Sequence, residues 1–539
     1  MHHCLQIDEI LHHIAQYADG SLVDMALVCH AFYEPAMTLL WRELSGLRPL
    51  FACLPAHTFR YDEDDALCMV RDPTPNEWTR FRHHAPRVRG LTLIELDFMG
   101  EERSMDYNCL DALKASHPPG PILPNLMRLH ILDKNAMQYA PLFVQPSLQI
   151  VEGTYTAWGE LDTIAYLRAI AERTVALRQI VFTDMDDPGT LGMETELSRV
   201  LRNSQSLTNV SLDANILPKA LVHLGVLPNL TRLRFDLNNV DYRSILSGTP
   251  QPKFRSLVVL EVSTSAQHVA PVVGLLESIS PQELRSLTVN LRLFHEDEEQ
   301  GEEFVRYIPP TARSLQRIIS TLTSFKALRR LVIAPWGYPS HLPDHIVSGD
   351  ALRPLLELPH LVALQLPRVP FALTAHDIEC MAKAWPALTT LQLGNEARHN
   401  VVSVRPPDLL PLAAYCPDLR DLGLQLLCEE EDVPSDGRPA EGFPTSRLRD
   451  LRLGENTVIE DAAPLAAFLS DVFPKAEVKH NYYSFEDEPA EWAAQIEEVQ
   501  RLKGMFAAVR AQERRAAARK YADVPASLDV SDTEGEDDL

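Results

Sequence analysis

Apolar residues recur along most of this chain in the spacing L-x-x-L-x-L, with Ile, Val or Phe as substitutes. Thirteen copies begin between residues 88 and 448, an average spacing of 30 residues over twelve intervals. The alternation at the second and third apolar positions is typical of a strand with one buried face. The copies are Val88-Leu91-Leu93, Leu126-Leu129-Ile131, a degenerate Leu148-Val151, Leu177-Ile180-Phe182, Leu207-Val210-Leu212, Leu230-Leu233-Phe235, Leu257-Leu260-Val262, Leu284-Leu287-Val289, Leu328-Leu331-Ile333, Leu361-Leu364-Leu366, Leu388-Leu391-Leu393, Leu419-Leu422-Leu424 and Leu448-Leu451-Leu453.

Helical patterns lie between the copies, for example at 161–173, 268–280 and 375–385. Six copies are introduced by Pro-x-Leu, and proline both ends a helix and favours extended backbone before it. The repeating unit is therefore strand, turn, helix, turn. One unit cannot bury its own apolar side, but a stack of units buries a continuous ridge of leucines.

This motif and period resemble the longer leucine-rich repeats. The resemblance implies an α/β fold, an irregular solenoid over 86–480 with parallel strands on the concave side and helices on the convex side. It also implies that an Asn three residues beyond the last apolar position bonds turn backbone of a neighbouring coil, and Asn215, Asn238 and Asn456 hold that position. A doubly wound α/β domain also alternates strand and helix, but its longer apolar strands and glycine-rich phosphate turn are not seen.

The first 45 residues have a different pattern, since three short amphipathic helices fit within 5–44. So many apolar residues in so few positions cannot all be buried internally, because small domains bury little of their own surface. A partner surface is therefore expected here. An N-terminal cap on the repeat array is the alternative.

Within 5–44 the chain carries Leu5, Glu9-Ile10, Ile14, the run Leu27-Val28-Cys29 and the closing Leu40-Trp41-Arg42. This order of residues resembles the F-box, the three-helix module that docks a receptor onto the adaptor of SCF-type ubiquitin ligases. Asp8, His30 and Phe32 depart from the common pattern, where Pro, a basic residue and Trp are usual. The resemblance implies a Skp-type adaptor as partner, and through it a cullin. The residues expected to bind the adaptor are Leu5, Ile7, Ile10, Leu11, Ile14, Leu27, Val28, Phe32, Leu40 and Trp41.

Composition narrows the possible partners. The net charge is −25 over 539 residues, which disfavours binding to nucleic acid or to an anionic membrane. No apolar run is long enough to cross a bilayer and no secretory signal is visible, so we expect a cytoplasmic or nuclear protein with free thiols.

The remaining segments are assigned by composition. Residues 46–85 are expected to connect the helices to the array, and 295–303 and 428–442 to be acidic insertions. An Ala-rich helix is expected at 489–521 and an acidic disordered tail at 522–539, where Ser531 and Thr533 resemble acidophilic kinase sites.

Motifs for catalysis, phosphate binding or metal binding are absent from the sequence, so we expect no enzyme activity, no cofactor and no metal. The pairs His12-His13 and His83-His84 are expected on the surface, and Cys380 and Cys416 in the core. Polar residues between the strand leucines should point to the concave side and bind a target protein, for example an acidic or phosphorylated segment. They are Arg128, His130, Arg232, Arg234, Asp236, Arg330, Asp421, Asp450 and Arg452.

Two functions therefore remain open from the sequence. The first is a substrate-recognition subunit of an SCF-type ubiquitin ligase, and an F-box followed by degenerate repeats is similar to large families in basidiomycete fungi. The second is a leucine-rich-repeat scaffold for protein–protein interaction outside the ubiquitin system.

Overall fold

The computed structural model describes most of the repeat region and the N-terminal helices. The described residues are 8–18, 20–63, 66–94, 105–133, 135–154, 160–183, 191–237, 254–265, 269–292, 312–336, 346–397, 401–429, 439, 443, 446–454, 456–480 and 491–522. They fall into two compact units, Met1–Asn290 and Leu291–Leu539. Several positions that the sequence analysis named lie outside the described residues. They are Leu5, Ile7, Asn238, the insertion 295–303, most of 428–442, and the segment with Ser531 and Thr533.

The first unit begins with three helices, Asp8–Gln16, Leu22–Val28 and His30–Leu40. A hairpin then pairs Phe59–Tyr61 with Leu67–Met69 in antiparallel register. The repeat strands follow in chain order within the sheet. They are Glu43–Leu44, Gly90–Leu93, Arg128–Ile131, Ile150–Thr154, Gln179–Thr183, Asn209–Asn215, Arg232–Leu237, Val259–Ser265 and, at the border of the unit, Ser286–Arg292.

Helices of the first unit alternate with these strands, as the period of the sequence predicts. The α-helices after the N-terminal three are Arg48–Phe51, Thr79–His84, Asn108–Ser116, Glu160–Arg173, Leu191–Asn203, Pro218–Val226 and Val269–Ser278. Two connections are 3₁₀-helices, Ala85–Arg87 and Met137–Leu142.

The second unit repeats the same plan. Its sheet strands are Arg330–Trp336, Ala363–Leu366, Thr390–Leu393, Asp421–Leu424, Asp450–Leu453 and Glu477–His480. Its α-helices are Ala312–Thr321, Ala375–Ala384, Leu410–Tyr415, Ala462–Val472 and Glu491–Ala522, and its 3₁₀-helices are Leu322–Ser324, Gly349–Glu357 and Pro406–Leu409. Two short parallel pairs accompany them, Val347–Ser348 with Phe371–Ala372 and Leu427–Cys428 with Val458–Ile459.

The leucines of the repeat motif form the core of both units because adjacent strands pair in parallel and in register. Leu364 lies opposite Leu391, which lies opposite Leu422, and Leu422 lies opposite Leu451. These side chains are fully buried. Burying one such leucine stabilises the fold by about 1.5–3 kcal/mol before entropy is subtracted. The predicted α/β leucine-rich-repeat fold is confirmed, with parallel strands and intervening helices in each unit.

The sheet also extends beyond the copies found in the sequence. The strand Glu43–Leu44 pairs with Gly90–Leu93 and so precedes the first predicted copy. At the other end, Glu477–His480 pairs with Asp450–Leu453, and the helix Glu491–Ala522 packs against this last strand. The side chain of Gln500 accepts a hydrogen bond of 2.8 Å from the backbone N–H of Val478. This bond satisfies a strand-edge donor that would otherwise be open to another chain.

Candidate protein-binding surfaces

The three N-terminal helices bury only part of their apolar surface. Helix Asp8–Gln16 turns Leu11 and Ala15 inward, while Ile10 and Ile14 on the same helix stay exposed. Exposed large apolar side chains continue onto the other two helices. We call this set the N-terminal patch, and it consists of Ile10, Ile14, Tyr17, Val23, Leu27, Val28, Tyr33 and Leu40.

Helix Leu22–Val28 is the clearest part of this patch. Its sequence LVDMALV is apolar apart from one aspartate, yet the helix has no buried residue. Leu27 is 80% exposed. The helix packs against His30–Leu40. Large exposed apolar side chains gathered on one helix are typical of a surface that contacts another protein.

The structure divides the residues that the sequence assigned to adaptor binding. Ile10, Ile14, Leu27, Val28 and Leu40 are exposed in the N-terminal patch. Others face inward: Leu11 is buried, and Phe32 and Trp41 are half-buried. Leu11 therefore holds the helices together from inside, while the exposed members form the surface that a partner can reach.

The third helix is joined to the following segment by two side-chain contacts. Trp41 stacks on His84 with ring centroids 4.3 Å apart, and Glu34 forms an ion pair of 2.8 Å with Arg87. Burial lowers the pKa of His84, with the charge of Arg87 as a smaller cause. His84 is thus a half-buried packing residue, and the expectation that it lies on the surface is wrong.

The residues between the strand leucines form a second surface, here called the strand face. In the first unit its arginines are largely paired within the sheet. Arg128 lies 3.1 Å from Glu43, and Arg234 lies 2.8 Å from Asp213 and 3.5 Å from Glu261. Arg232 is exposed and makes no ion pair with any described residue. Arg128 and Arg234 can therefore take an acidic partner only by giving up part of an existing pair.

Two further predicted residues of the first unit lie on the same strands. Burial lowers the pKa of His130, and the neighbouring charge of Glu152 opposes that shift. Glu152 accepts a hydrogen bond of 2.9 Å from Gln179 on the next strand. Asp236 is half-buried in strand Arg232–Leu237.

In the second unit the strand face forms a chain of hydrogen bonds from strand to strand. Arg330 donates to Gln365 (2.8 Å), and Gln365 donates to Gln392 (3.2 Å). Gln392 then donates to Asp421 (3.1 Å), which also pairs with Arg452 at 3.2 Å. Burial raises the pKa of Asp421, and Arg452 and Gln392 act against this shift. Five neighbouring positions are therefore held in one network.

The last two strands of the second unit continue the polar surface. Asp450 pairs with Lys479 at 2.7 Å, and Lys479 also lies 2.9 Å from Glu477. Arg330, on the first strand of this unit, differs from these charged pairs. It is exposed, and its hydrogen-bond partner Gln365 is neutral. Among the residues that the structure describes, two predicted arginines therefore form no ion pair, Arg232 in the first unit and Arg330 in the second.

Several members of the strand face were missed from the sequence. Gln365, Gln392, Asp213 and Glu261 each stand between two apolar residues of a strand, and that spacing is the signal that could have identified them. Lys479 lacks this signal, because it stands between Val478 and His480. Among the expected asparagines, Asn456 donates to the backbone oxygen of Ala397 at 3.4 Å. Ala397 follows the strand Thr390–Leu393, which lies two strands away in the sheet, so this bond is not the bond to a neighbouring coil that the resemblance implies.

Other kinds of site have little support in the described residues. They contain no group of three or more His, Cys, Asp or Glu side chains placed to hold a metal ion. None of the described helices combines the length and hydrophobicity that crossing a bilayer requires.

Comparison with known proteins gives structural likenesses. No family model matches the chain, and no curated protein matches it. The crystal structure of the Rad7 and Elc1 complex in yeast is similar with 15% identity and a TM-score of 0.39, covering 81% of this chain and 96% of that chain. The leucine-rich-repeat protein LIC12759 of Leptospira interrogans has 14% identity and a TM-score of 0.34, covering 76% and 93%. LegL7 of Legionella pneumophila, also a leucine-rich-repeat protein, has 12% identity and a TM-score of 0.26, covering 74% and 94%.

Proposed function

We propose that this chain is the substrate-recognition subunit of an SCF-type E3 ubiquitin ligase. The N-terminal patch binds a Skp-type adaptor, and through it a cullin, while the strand face binds a target protein. The chain itself does no chemistry in this role, because its task is to hold a target near a ubiquitin-charged enzyme. The observation that carries the proposal is helix Leu22–Val28, which is apolar and has no buried residue.

The physical argument is the cost of leaving such a helix in water. Apolar surface removed from water contributes about 25 cal/mol per Å². Helices that only capped the array would gain this contribution by packing their apolar sides onto it. Instead Leu27 and Val28 point to solvent. Exposed apolar helices at the position of the F-box resemblance therefore favour a separate partner over a cap.

The adaptor half is tested by co-expression with a Skp-type adaptor followed by size-exclusion chromatography. Leu27→Asp is the test variant and Leu161→Asp the control, because these leucines are 80% and 81% exposed and both lie on helices. We expect a one-to-one complex with the unaltered chain and with Leu161→Asp, and its loss with Leu27→Asp. Leu11→Asp is unsuitable, since it would place a charge in the interior of the helices.

Two outcomes would contradict the adaptor proposal. Retention of the complex by Leu27→Asp would show that the adaptor does not use the N-terminal patch. A soluble chain that ignores the adaptor altogether would instead favour a leucine-rich-repeat scaffold outside the ubiquitin system.

The target half rests on the two arginines that form no ion pair with a described residue. Guanidinium groups bind carboxylates and phosphates through two parallel hydrogen bonds, so Arg232 in the first unit and Arg330 in the second can each bind an acidic group of a target. The test compares proteins retained by the adaptor complex when the chain carries Arg232→Glu and Arg330→Glu. Arg317→Glu is the control, because Arg317 is exposed on helix Ala312–Thr321, outside the strand face. A target set unchanged by the double variant would refute an acidic target site at these positions.

A further inference from the structure

A thiol and an imidazole lie one turn apart on helix Ala375–Ala384. The sulfur of Cys380 is 3.4 Å from Nε2 of His376, which is a hydrogen-bonding distance for sulfur. Cys380 is half-buried and His376 is exposed. The sequence analysis placed this cysteine in the core, and that expectation is wrong for Cys380, although Cys416 is buried.

The thiol faces a cleft between its own helix and the 3₁₀-helix Gly349–Glu357. Leucine and methionine side chains give the cleft an apolar lining, and the thiol, the imidazole, a guanidinium and the carboxylate of Asp377 add polar groups. The residues that line it include Leu352, Arg353, Leu356, His376, Asp377 and Cys380. The thiol of Cys380 therefore lies beside both apolar and charged side chains.

The other described cysteines differ from Cys380 in one of two respects. Cys68, Cys109, Cys416 and Cys428 are buried, so a reagent in solution does not reach them. Cys29 and Cys53 are half-buried like Cys380, but no described histidine lies at hydrogen-bonding distance from either sulfur. Burial also raises the pKa of Cys53, and its sulfur donates to the carbonyl of Pro49 at 3.3 Å. A thiol needs a nearby base or cation to act as a nucleophile, and His376 gives Cys380 that base.

We propose that Cys380 is a site of thiol–disulfide exchange with low-molecular-weight disulfides, with His376 as its proton acceptor. The S–H proton of Cys380 moves to Nε2 of His376, and the sulfur attacks one sulfur of the disulfide. The disulfide S–S bond breaks as the new S–S bond to Cys380 forms. The departing thiolate takes the proton from the imidazolium, so that one thiol is consumed and one is released. The product is a mixed disulfide in the cleft.

The experiment uses the full chain and 4,4′-dithiodipyridine, a neutral small disulfide whose released thione is followed by absorbance. The reacted protein is digested and mapped by mass spectrometry, which identifies the modified cysteine without any variant. His376→Gln is then compared with His360→Gln, a second exposed histidine of the same unit. Rates are measured from acidic to mildly alkaline pH.

We expect the fastest phase to be one equivalent that maps to Cys380 and is absent in Cys380→Ser. His376→Gln should slow that phase by about tenfold or more, because general-base assistance contributes at least this much, and should shift its pH dependence. His360→Gln should leave it unchanged. A fastest phase that maps to another cysteine would overturn the proposal, as would a His376→Gln rate equal to that of the control.

Discussion

The N-terminal helices and the repeat array use apolar side chains in opposite ways. In the array, Leu391 is buried between the leucines of two neighbouring strands, and the repeat leucines around it are buried as well. In the N-terminal helices, Leu27 is 80% exposed on a helix with no buried residue. Leucine in the array therefore stabilises the fold, while leucine in the N-terminal patch leaves its apolar surface in water. The same residue type is buried in one region and exposed in the other.

The largest expected effect comes from making the same substitution, leucine to alanine, at one buried and one exposed position. Leu391→Ala should lower the free energy of unfolding by about 2–5 kcal/mol, since it leaves a cavity in a closely packed core. Leu27→Ala should change it by less than about 0.5 kcal/mol, as is usual for surface positions. Urea unfolding followed by circular dichroism measures both. Similar losses in the two variants would show that Leu27 is buried in solution.

The next prediction compares how much two ion pairs of the strand face in the first unit contribute to the free energy of unfolding. Arg234→Met removes the ion pair to Asp213, whose side chain is only 9% exposed. Loss of a partner from a buried polar group costs about 1–3 kcal/mol. Arg128→Met breaks a pair in which both side chains are about half exposed, and such pairs contribute about 0–1 kcal/mol.

Urea unfolding of these two methionine variants gives the comparison directly. Equal effects would mean that Asp213 is solvated rather than held in the sheet. A larger loss in Arg234→Met would place the strand-face arginines among the residues that stabilise the array, in addition to any role toward a target.

A pH-dependent effect is expected where the N-terminal helices join the following segment. The pKa of His84 is lowered by burial, so its neutral form favours folding. The contribution of neutral His84 to the free energy of unfolding is complete above the ordinary histidine pKa of about 6.5. It is lost as the pH falls through the lower pKa that His84 has in the folded chain. His84→Phe keeps an aromatic ring beside Trp41 and removes the titration. The unaltered chain should therefore lose more stability than His84→Phe between pH 7 and pH 5.

Unfolding curves of both proteins at the two pH values test this difference, and His83→Phe is the control because His83 is exposed. Parallel losses in the unaltered chain and in His84→Phe would rule out a protonation cost at this stack. His117 and His130 also have pKa values lowered by burial, so part of the acid sensitivity should remain in every variant.

The sequence predicted the array well because its signal is local and repeated. The sequence did not predict the strand Glu477–His480, because charged and polar residues surround its single apolar residue, Val478. The strand Glu43–Leu44 was missed because the helical pattern of the N-terminal segment was extended to residue 44. Partners on the strand face lie about one repeat apart in sequence, so no local pattern shows which arginine is paired.

The environment of Cys380 shows a second limit of the sequence. Helical spacing correctly turns Ile378, Met381 and Ala382 inward, but it leaves position 380 at the edge of the buried side. A cysteine there is apolar enough to suggest the core. Only the side-chain geometry shows that its sulfur meets His376 instead.

The smallest expected effect concerns a polar atom that is buried in the array. The N-terminal helices show the opposite case, since they expose apolar side chains to water. Tyr166 is fully buried in helix Glu160–Arg173, and its hydroxyl has no hydrogen-bond partner among the described parts of the chain. Tyr166→Phe should therefore stabilise the chain by up to about 1 kcal/mol, because it removes an unsatisfied polar group.

Tyr107→Phe is the matched control for this last prediction. The hydroxyl of Tyr107 donates to Asp133 at 2.6 Å, so the same change should destabilise the chain by about 1–2 kcal/mol. Thermal and urea unfolding of the two phenylalanine variants should therefore move in opposite directions. A loss of stability in Tyr166→Phe would mean that its hydroxyl is hydrogen-bonded, for example to an internal water. The array would then satisfy its polar atoms as completely as it buries its leucines.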